Sequence, residues 1–124
     1  MDTKVVPVLR IFDYAKAIEF YVDWLGFTID WEHRFGDNSP LYMQVTKGSI
    51  TFHLTEHHGD CCPGSKVYIE TTGVRDYHKQ LIQKDYRYNK PGIEQAPWNA
   101  PCMTVFDPFG NKILFTESNK NTAS

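Results

Sequence analysis

The sequence predicts an α+β protein made of two tandem βαβββ units, whose curved sheets surround a cavity. Signals for a first strand, a helix and a hairpin turn each recur about sixty residues later, which indicates an internal repeat. These signals lie at Val5 and Val67, at Tyr14 and Val74, and at Gly48 and Gly110. A four-stranded sheet with one helix behind it buries only its helix-side face, so we expect the other face to line the cavity.

The composition is typical of one cytoplasmic domain over residues 1–124, with repeat units at about 5–56 and 66–117. The formal net charge of -2 argues against a nucleic-acid partner. No apolar run approaches the roughly 20 residues that cross a bilayer, and the start MDTKVVPV does not resemble a signal peptide. Three cysteines, of which Cys61 and Cys62 are adjacent, do not predict a disulfide scaffold.

In the first unit, residues 5–11 predict a strand, and Asp13 predicts the N-cap of a helix that ends at Gly26. The helix should bury one stripe, formed by Tyr14, Ile18, Tyr21 (or Val22) and Leu25. Alternation over residues 27–35 predicts a strand with two distinct faces. One face holds Phe27, Ile29, Trp31, His33 and Phe35, and the other holds Thr28, Asp30, Glu32 and Arg34. Residues 41–46 and 50–56 predict a hairpin.

In the second unit, the polar stretch 57–65 predicts a connector and residues 66–71 predict a strand. Thr72 is the expected cap of a helix whose buried stripe is Val74, Tyr77, His78 and Leu81. Residues 93–101 predict a loop around their prolines. Residues 102–106 and 112–116 predict strands joined by the turn DPFGN, and we expect a frayed tail after Glu117.

Aromatic residues make up 15% of the chain, which is more than a small core needs. Alternation makes Trp31 a core or interface residue, whereas Trp98 lies in a proline-flanked loop. A loop tryptophan either packs under its own loop or stacks on a ligand. Residues 1–60 carry nine acids against five Lys or Arg, which would suit a cationic ligand or simply a solvated face.

The sequence does not predict a metal centre or a nucleophile. His53, His57 and His58 lie near Glu56 and Asp60, but adjacent histidines on an extended segment point to opposite sides. Cys61 and Cys62 could chelate a soft ion, although such a pair in a loop is more often incidental. No GxSxG, P-loop, dinucleotide or HExxH motif is present.

From about Val5 to Glu117, the stretches PVLRIFDYAKAIEFYVDWLGF and FDPFGNKI resemble the glyoxalase/bleomycin resistance/dioxygenase superfamily, also called vicinal-oxygen-chelate proteins. The stretches FTIDWEHRFGDNSPLYMQV, FHLTEHHGDCCPG and APWN resemble its bleomycin-resistance branch. Metal-dependent members of the superfamily place ligands near the start of each unit's first strand and on its last strand. Those positions align with Val6 or Pro7, Lys66, Leu114 and either His53 or Glu56. One donor does not hold a catalytic metal, so we expect no cofactor and no enzymatic activity.

The resemblance implies a binding protein that sequesters bleomycin-type glycopeptides in crevices at the interface of a homodimer, which we expect to be domain-swapped. By this resemblance, Phe35 and Trp98 stack on the drug's flat bithiazole, Ser49 and Asp60 line the crevice, and Asp30 and Glu32 supply negative potential. Trp31 and His33 share the strand face of Phe35 and join the expected ligand-binding residues. The alternatives are a metal-dependent enzyme of the same fold, of the glyoxalase, thiol transferase or dioxygenase type, and a binder of another flat aromatic ligand.

Overall fold

A computed structural model describes residues 1–34, 36 and 39–117. The chain forms two four-stranded sheets with few helices, which confirms the predicted α+β class. It divides into two compact units, one comprising Met1–Ser65 with Asp107–Asn111 and the other Lys66–Phe106 with the segment from Lys112 onward. Among the described residues, no helix has the length and apolarity needed to span a bilayer.

The first unit contains strands β1 (Val8–Arg10), β2 (Thr28–Arg34), β3 (Leu41–Lys47) and β4 (Ile50–Thr55), in the spatial order β1-β4-β3-β2. Strand β1 runs parallel to β4 and is shorter than the predicted 5–11. The helix-side face of the sheet buries Leu41, Met43 and Val45 of β3. The intervening positions of β3 stay partly open, as expected for a strand with one buried face.

The first helix begins as α1 (Tyr14–Ala17) and continues as a π-helical segment (Ile18–Trp24). Asp13 caps it as predicted, because its Oδ1 accepts a hydrogen bond from the Lys16 amide at 3.0 Å. Gly26 ends it with φ 91°, a left-handed conformation that favours glycine. The predicted stripe is wrong in part. The widened π turn buries Ala17, Phe20, Tyr21, Trp24 and Leu25, whereas Tyr14 and Ile18 are only half-buried.

The turn after Phe106 belongs to the first unit and is held by a buried polar network. The Tyr21 hydroxyl donates to Asp107 at 2.6 Å, and the amides of Phe109 and Asn111 donate to the same carboxylate. Burial raises the pKa of Asp107, although these hydrogen bonds oppose the shift. The Asn111 side chain also donates to the Arg10 carbonyl at 2.9 Å, so the turn is tied to the end of β1.

The second unit contains β5 (Lys66–Glu70), α2 (Val74–Gln83), β6 (Glu94–Gln95), β7 (Pro101–Phe106) and β8 (Lys112–Thr116), with the sheet order β5-β8-β7-β6. This order repeats that of the first sheet. Two predictions are wrong here. Gly73, not Thr72, is the N-cap of α2, and the expected loop 93–101 contains the short strand β6. The tail after Glu117 lies outside the described residues.

Candidate functional site

The open face of the first sheet, away from the helix, carries a group of rings that we call the aromatic cluster: Trp31, Tyr42 and His53. The rings of Trp31 and Tyr42 are nearly parallel, with an interplanar angle of 8° and centroids 6.0 Å apart. The His53 ring meets both edge-on, at 5.3 Å from Trp31 and 5.1 Å from Tyr42. Trp31 keeps 42% of its surface exposed, so the cluster offers a flat apolar face to solvent.

A β-bulge puts Trp31 on this face. Ile29 pairs with Val45, and Trp31 pairs with the next residue, Gln44, so Asp30 is an extra residue in β2. Val45 faces the core, whereas Gln44 is on the open face. The predicted single face from Phe27 to Phe35 is therefore wrong, because the bulge moves Trp31 and His33 to the face opposite Ile29.

A chain of hydrogen bonds links the aromatic cluster to an acid. Asp30 accepts from the Gln44 amide nitrogen at 3.0 Å, so the Gln44 oxygen accepts from His53 Nε2 at 2.9 Å. This leaves His53 Nδ1 as the acceptor for the Tyr42 hydroxyl at 2.7 Å. The network thus assigns a neutral His53 protonated on Nε2, and burial lowers the pKa of this histidine.

Two carboxylates add negative charge to the same face. Hydrogen bonds from Thr46 and then Gln44 lower the pKa of Asp30, so this group stays ionised. Asp60 accepts a hydrogen bond from the Thr55 hydroxyl at 2.7 Å. The pKa of Tyr42 is raised, first by burial of the Tyr42 hydroxyl and second by the negative charge of Asp60. Burial, and after it the negative charge of Asp60, raises the pKa of Cys61, so this cysteine favours the protonated thiol over the nucleophilic thiolate.

The other predicted site residues of the first unit are spread over different places. His33 is exposed and pairs with Tyr42 across β2 and β3. Glu32 pairs with the buried Met43 and accepts a hydrogen bond from the Tyr14 hydroxyl at 2.6 Å, so it lies on the helix side, opposite Trp31. Ser49 is exposed in the turn between β3 and β4. Phe35 lies outside the described residues.

In the second unit, Trp98 is half-buried in the loop between β6 and β7. Its indole N–H donates to the Glu117 carbonyl at 3.0 Å, and its ring centroid lies 6.5 Å from that of Tyr68. Tyr68 is 49% exposed on the open face of β5. The two rings form a second aromatic surface, in which the polar end of Trp98 is satisfied and its apolar body is partly accessible.

The described residues do not fit a catalytic metal. Over residues 1–34, 36 and 39–117, no group of three or more His, Cys, Asp or Glu side chains is arranged to hold one. At the positions aligned above with the superfamily's metal ligands, Val6, Pro7 and Leu114 have no donor atom and Lys66 carries an ammonium group. His53 is the remaining ordinary ligand, because Glu56 already accepts from the Leu41 amide and faces Arg34 at 3.6 Å.

Sequence reasoning missed Tyr42, Gln44 and Tyr68. Tyr42 and Gln44 alternate with buried residues of β3, and this alternation is the signal that would have placed them on the open face with His53. No comparable signal marks the bulge at Asp30, because it depends on pairing with β3. Tyr68 lies in the five-residue strand β5, whose alternating exposed and half-buried positions do not distinguish Tyr68 from its neighbours.

A sequence model described as that of a glyoxalase superfamily protein matches residues 1–122. A bleomycin resistance protein from Geobacillus stearothermophilus is 25% identical over 94% of this chain and 97% of its own length. These matches confirm the resemblance predicted from the sequence.

Solved structures agree on the fold. The bleomycin-binding protein of the bleomycin producer Streptomyces verticillus, solved with copper(II)-bleomycin, is 27% identical, with a TM-score of 0.70 over 95% of this chain and 98% of that one. A bleomycin resistance determinant encoded on transposon Tn5 superimposes with a TM-score of 0.73 at 17% identity, over 94% of this chain and 98% of that one.

Proposed function

The chain belongs to the glyoxalase superfamily, and we propose that it binds and sequesters a bleomycin-type antibiotic without catalysing a reaction. The observation that carries this proposal is the aromatic cluster beside ionised Asp30. Its nearly parallel rings suit a flat heteroaromatic group, and the adjacent carboxylates Asp30 and Asp60 suit a cationic tail. The related proteins that carry bleomycin in their names support the same ligand class.

The cluster has the features of a preorganised binding surface. Tyr42 and His53 hold each other by a hydrogen bond, and Gln44 fixes the His53 ring from its other nitrogen. A ligand that stacks there does not have to order these side chains, so less of the binding free energy is lost to ordering.

Calorimetric titration with metal-free and copper-loaded bleomycin tests the proposal. We expect Trp31→Ala and Trp98→Ala each to weaken binding, because one stacked ring contributes about 1 to 3 kcal/mol, roughly five- to 150-fold in affinity. Phe12→Ala is the matched control, since Phe12 is also exposed but contacts Arg10 and Phe109. Parent-like affinity in both tryptophan variants, with unchanged circular dichroism, would contradict the proposed site.

The second candidate is a metal-dependent enzyme, which His53 alone favours through its position on the last strand of the first unit. The two candidates differ in their response to a chelator. We expect EDTA to leave the binding of metal-free bleomycin unchanged, because Val6 or Pro7, Lys66 and Leu114 at the positions aligned with the superfamily's metal ligands leave His53 as a single donor. Elemental analysis of protein purified without chelators provides the independent check, and one tightly held transition metal per chain would favour the enzyme.

The proposal includes the homodimer and the cytoplasmic location expected from the sequence. The three cysteines, Cys61, Cys62 and Cys102, are free thiols, which fits a reducing compartment.

A further inference from the structure

The second unit contains a cavity of about 570 Å³ that the proposed function does not use. It lies at the start of β5 and β8, at the end of β7 and against the loop after α2. Its lining includes Lys66, Lys112, Lys90, Phe106, Tyr88 and Glu94. Its volume is within the range of small-molecule sites, which is roughly 300 to 1,000 Å³.

Two lysines lie side by side at the cavity wall. Lys66 and Lys112 are register partners on the parallel strands β5 and β8, and both side chains are exposed. Neighbouring like charges on a sheet destabilise the folded state. In the part of the chain that the structure describes, neither ammonium group has a carboxylate within ion-pair distance. An anion bound between them would remove this repulsion.

The remaining charges leave the cavity cationic. Lys90 lines it as well but pairs with Asp85, and Glu94 is the acid among the lining residues that the structure describes. The guanidinium of Arg87 lies 4.7 Å from the centre of the Tyr88 ring, which adds positive charge near the rim. A cationic ligand would therefore be repelled here, in contrast to the acidic open face of the first sheet.

The cavity also has an apolar wall. Phe106 pairs with Lys112 across β7 and β8 and keeps 51% of its surface exposed, and Tyr88 keeps 57%. The Asn89 side chain donates to the Phe106 carbonyl and accepts from the Phe106 amide at 3.3 Å. These two hydrogen bonds hold the loop beside the end of β7, so the ring of Phe106 is presented from a fixed backbone.

We infer that this cavity is a binding site for a small aromatic anion, of the aryl phosphate or aryl carboxylate class. The anionic group lies between Lys66 and Lys112, and the ring packs against Phe106. An exposed aromatic ring beside paired ammonium groups binds this combination better than either an inorganic anion or a neutral aromatic compound. The inference does not depend on the proposed function, because Lys66, Lys112 and Phe106 are not among the residues assigned to bleomycin binding and the two sites attract opposite charges.

Titration of the full chain with phenyl phosphate, followed by amide chemical shifts, tests the inference. We expect saturable shifts at residues of β5, β7 and β8, with weaker binding of inorganic phosphate and none of phenethylamine. The double variant Lys66→Gln/Lys112→Gln should lose at least roughly tenfold in affinity, and Phe106→Ala should weaken phenyl phosphate more than inorganic phosphate. The charge-conserving pair Lys66→Arg/Lys112→Arg should retain most of the affinity.

Lys16→Gln, on the helix of the first unit, serves as the control that should bind phenyl phosphate as the parent does. The inference is wrong if the parent shows no saturable shifts, if phenethylamine binds equally well, or if the glutamine pair binds as the parent does. The arginine pair keeps both positive charges. If it loses as much affinity for phenyl phosphate as the glutamine pair does, the loss reflects a general effect of substitution and not a lost anion contact. This outcome too would overturn the inference.

Discussion

His53 is the residue whose protonation state decides how the aromatic cluster behaves. In the neutral form, Nδ1 accepts from Tyr42 and Nε2 donates to Gln44. Protonation adds a proton to Nδ1, so the Tyr42 hydroxyl has to rotate away and the hydrogen bond in this direction is lost. The new positive charge would also oppose a cationic ligand on the same face.

This arrangement predicts a pH dependence with a definite sign. Burial keeps the pKa of His53 in the folded protein below its unfolded value of about 6.5. The unfolded state therefore binds more protons just below pH 6.5, and the free energy of unfolding falls as the pH drops through the window between the two pKa values. Between pH 7 and pH 5.5, the free energy of unfolding measured with urea should fall more for the parent than for His53→Gln. Equal losses would contradict the network.

The bulge in β2 shows how one element sets the chemistry of the site. Without the extra residue Asp30, Trp31 would follow the alternation of Ile29 and turn toward the helix side. With it, the indole reaches Tyr42 and His53, and Asp30 itself reaches Gln44. The same local irregularity thus supplies both the ring and the charge of the proposed site.

The start of the first helix allows a prediction with a built-in control. Asp13→Ala removes the acceptor for the Lys16 amide, so we expect the free energy of unfolding to fall by about 1 kcal/mol. Asp13→Asn keeps an acceptor at the same atom position and should stay near the parent. Urea unfolding at neutral pH measures both variants, and an equal loss in the two would show that charge rather than capping stabilises this helix end.

Local signals predicted most elements of this fold, and pairing between elements accounts for the failures. The Asp13 cap, the Gly26 stop and the β3–β4 hairpin depend on residues adjacent in sequence, and the structure confirms them. The bulge at Asp30 and the short strand β6 depend on partners in β3 and β7, which a single-strand pattern does not contain. The π turn likewise departs from the 3.6-residue spacing used for the prediction and adds Phe20 and Trp24 to the buried face.

Across the whole molecule, two sheets of the same strand order carry opposite charge. Residues 1–60 have nine acids and five Lys or Arg, whereas residues 61–124 have six acids and eight Lys or Arg. Part of this difference lies at the two proposed sites, with Asp30 and Asp60 near the aromatic cluster and Lys66 and Lys112 at the second cavity. The two units therefore share a topology but differ in the charge of the residues at their proposed ligand sites.

Exposed aromatic rings on both sheets predict that the protein is a homodimer. Trp31 of the first sheet and Tyr68 of the second keep 42% and 49% of their surface exposed. Large aromatic side chains on sheet faces mark surfaces that a ligand or a second chain covers, and a two-fold interface would cover equivalent rings of both chains at once. We expect light scattering at micromolar concentration to give twice the 14.4 kDa mass of one chain.

Titration of the same sample with bleomycin connects this mass to function. If the binding crevices are at the interface, dilution or substitutions that separate the chains should abolish binding together with the dimer mass, because each chain then presents only part of a crevice. Trp31→Ala is not suitable for this test, since it removes a proposed ligand contact, so dilution of the parent is the cleaner variable. A particle of 14.4 kDa that binds bleomycin with full affinity would exclude the interface crevice and would place the whole site within one chain.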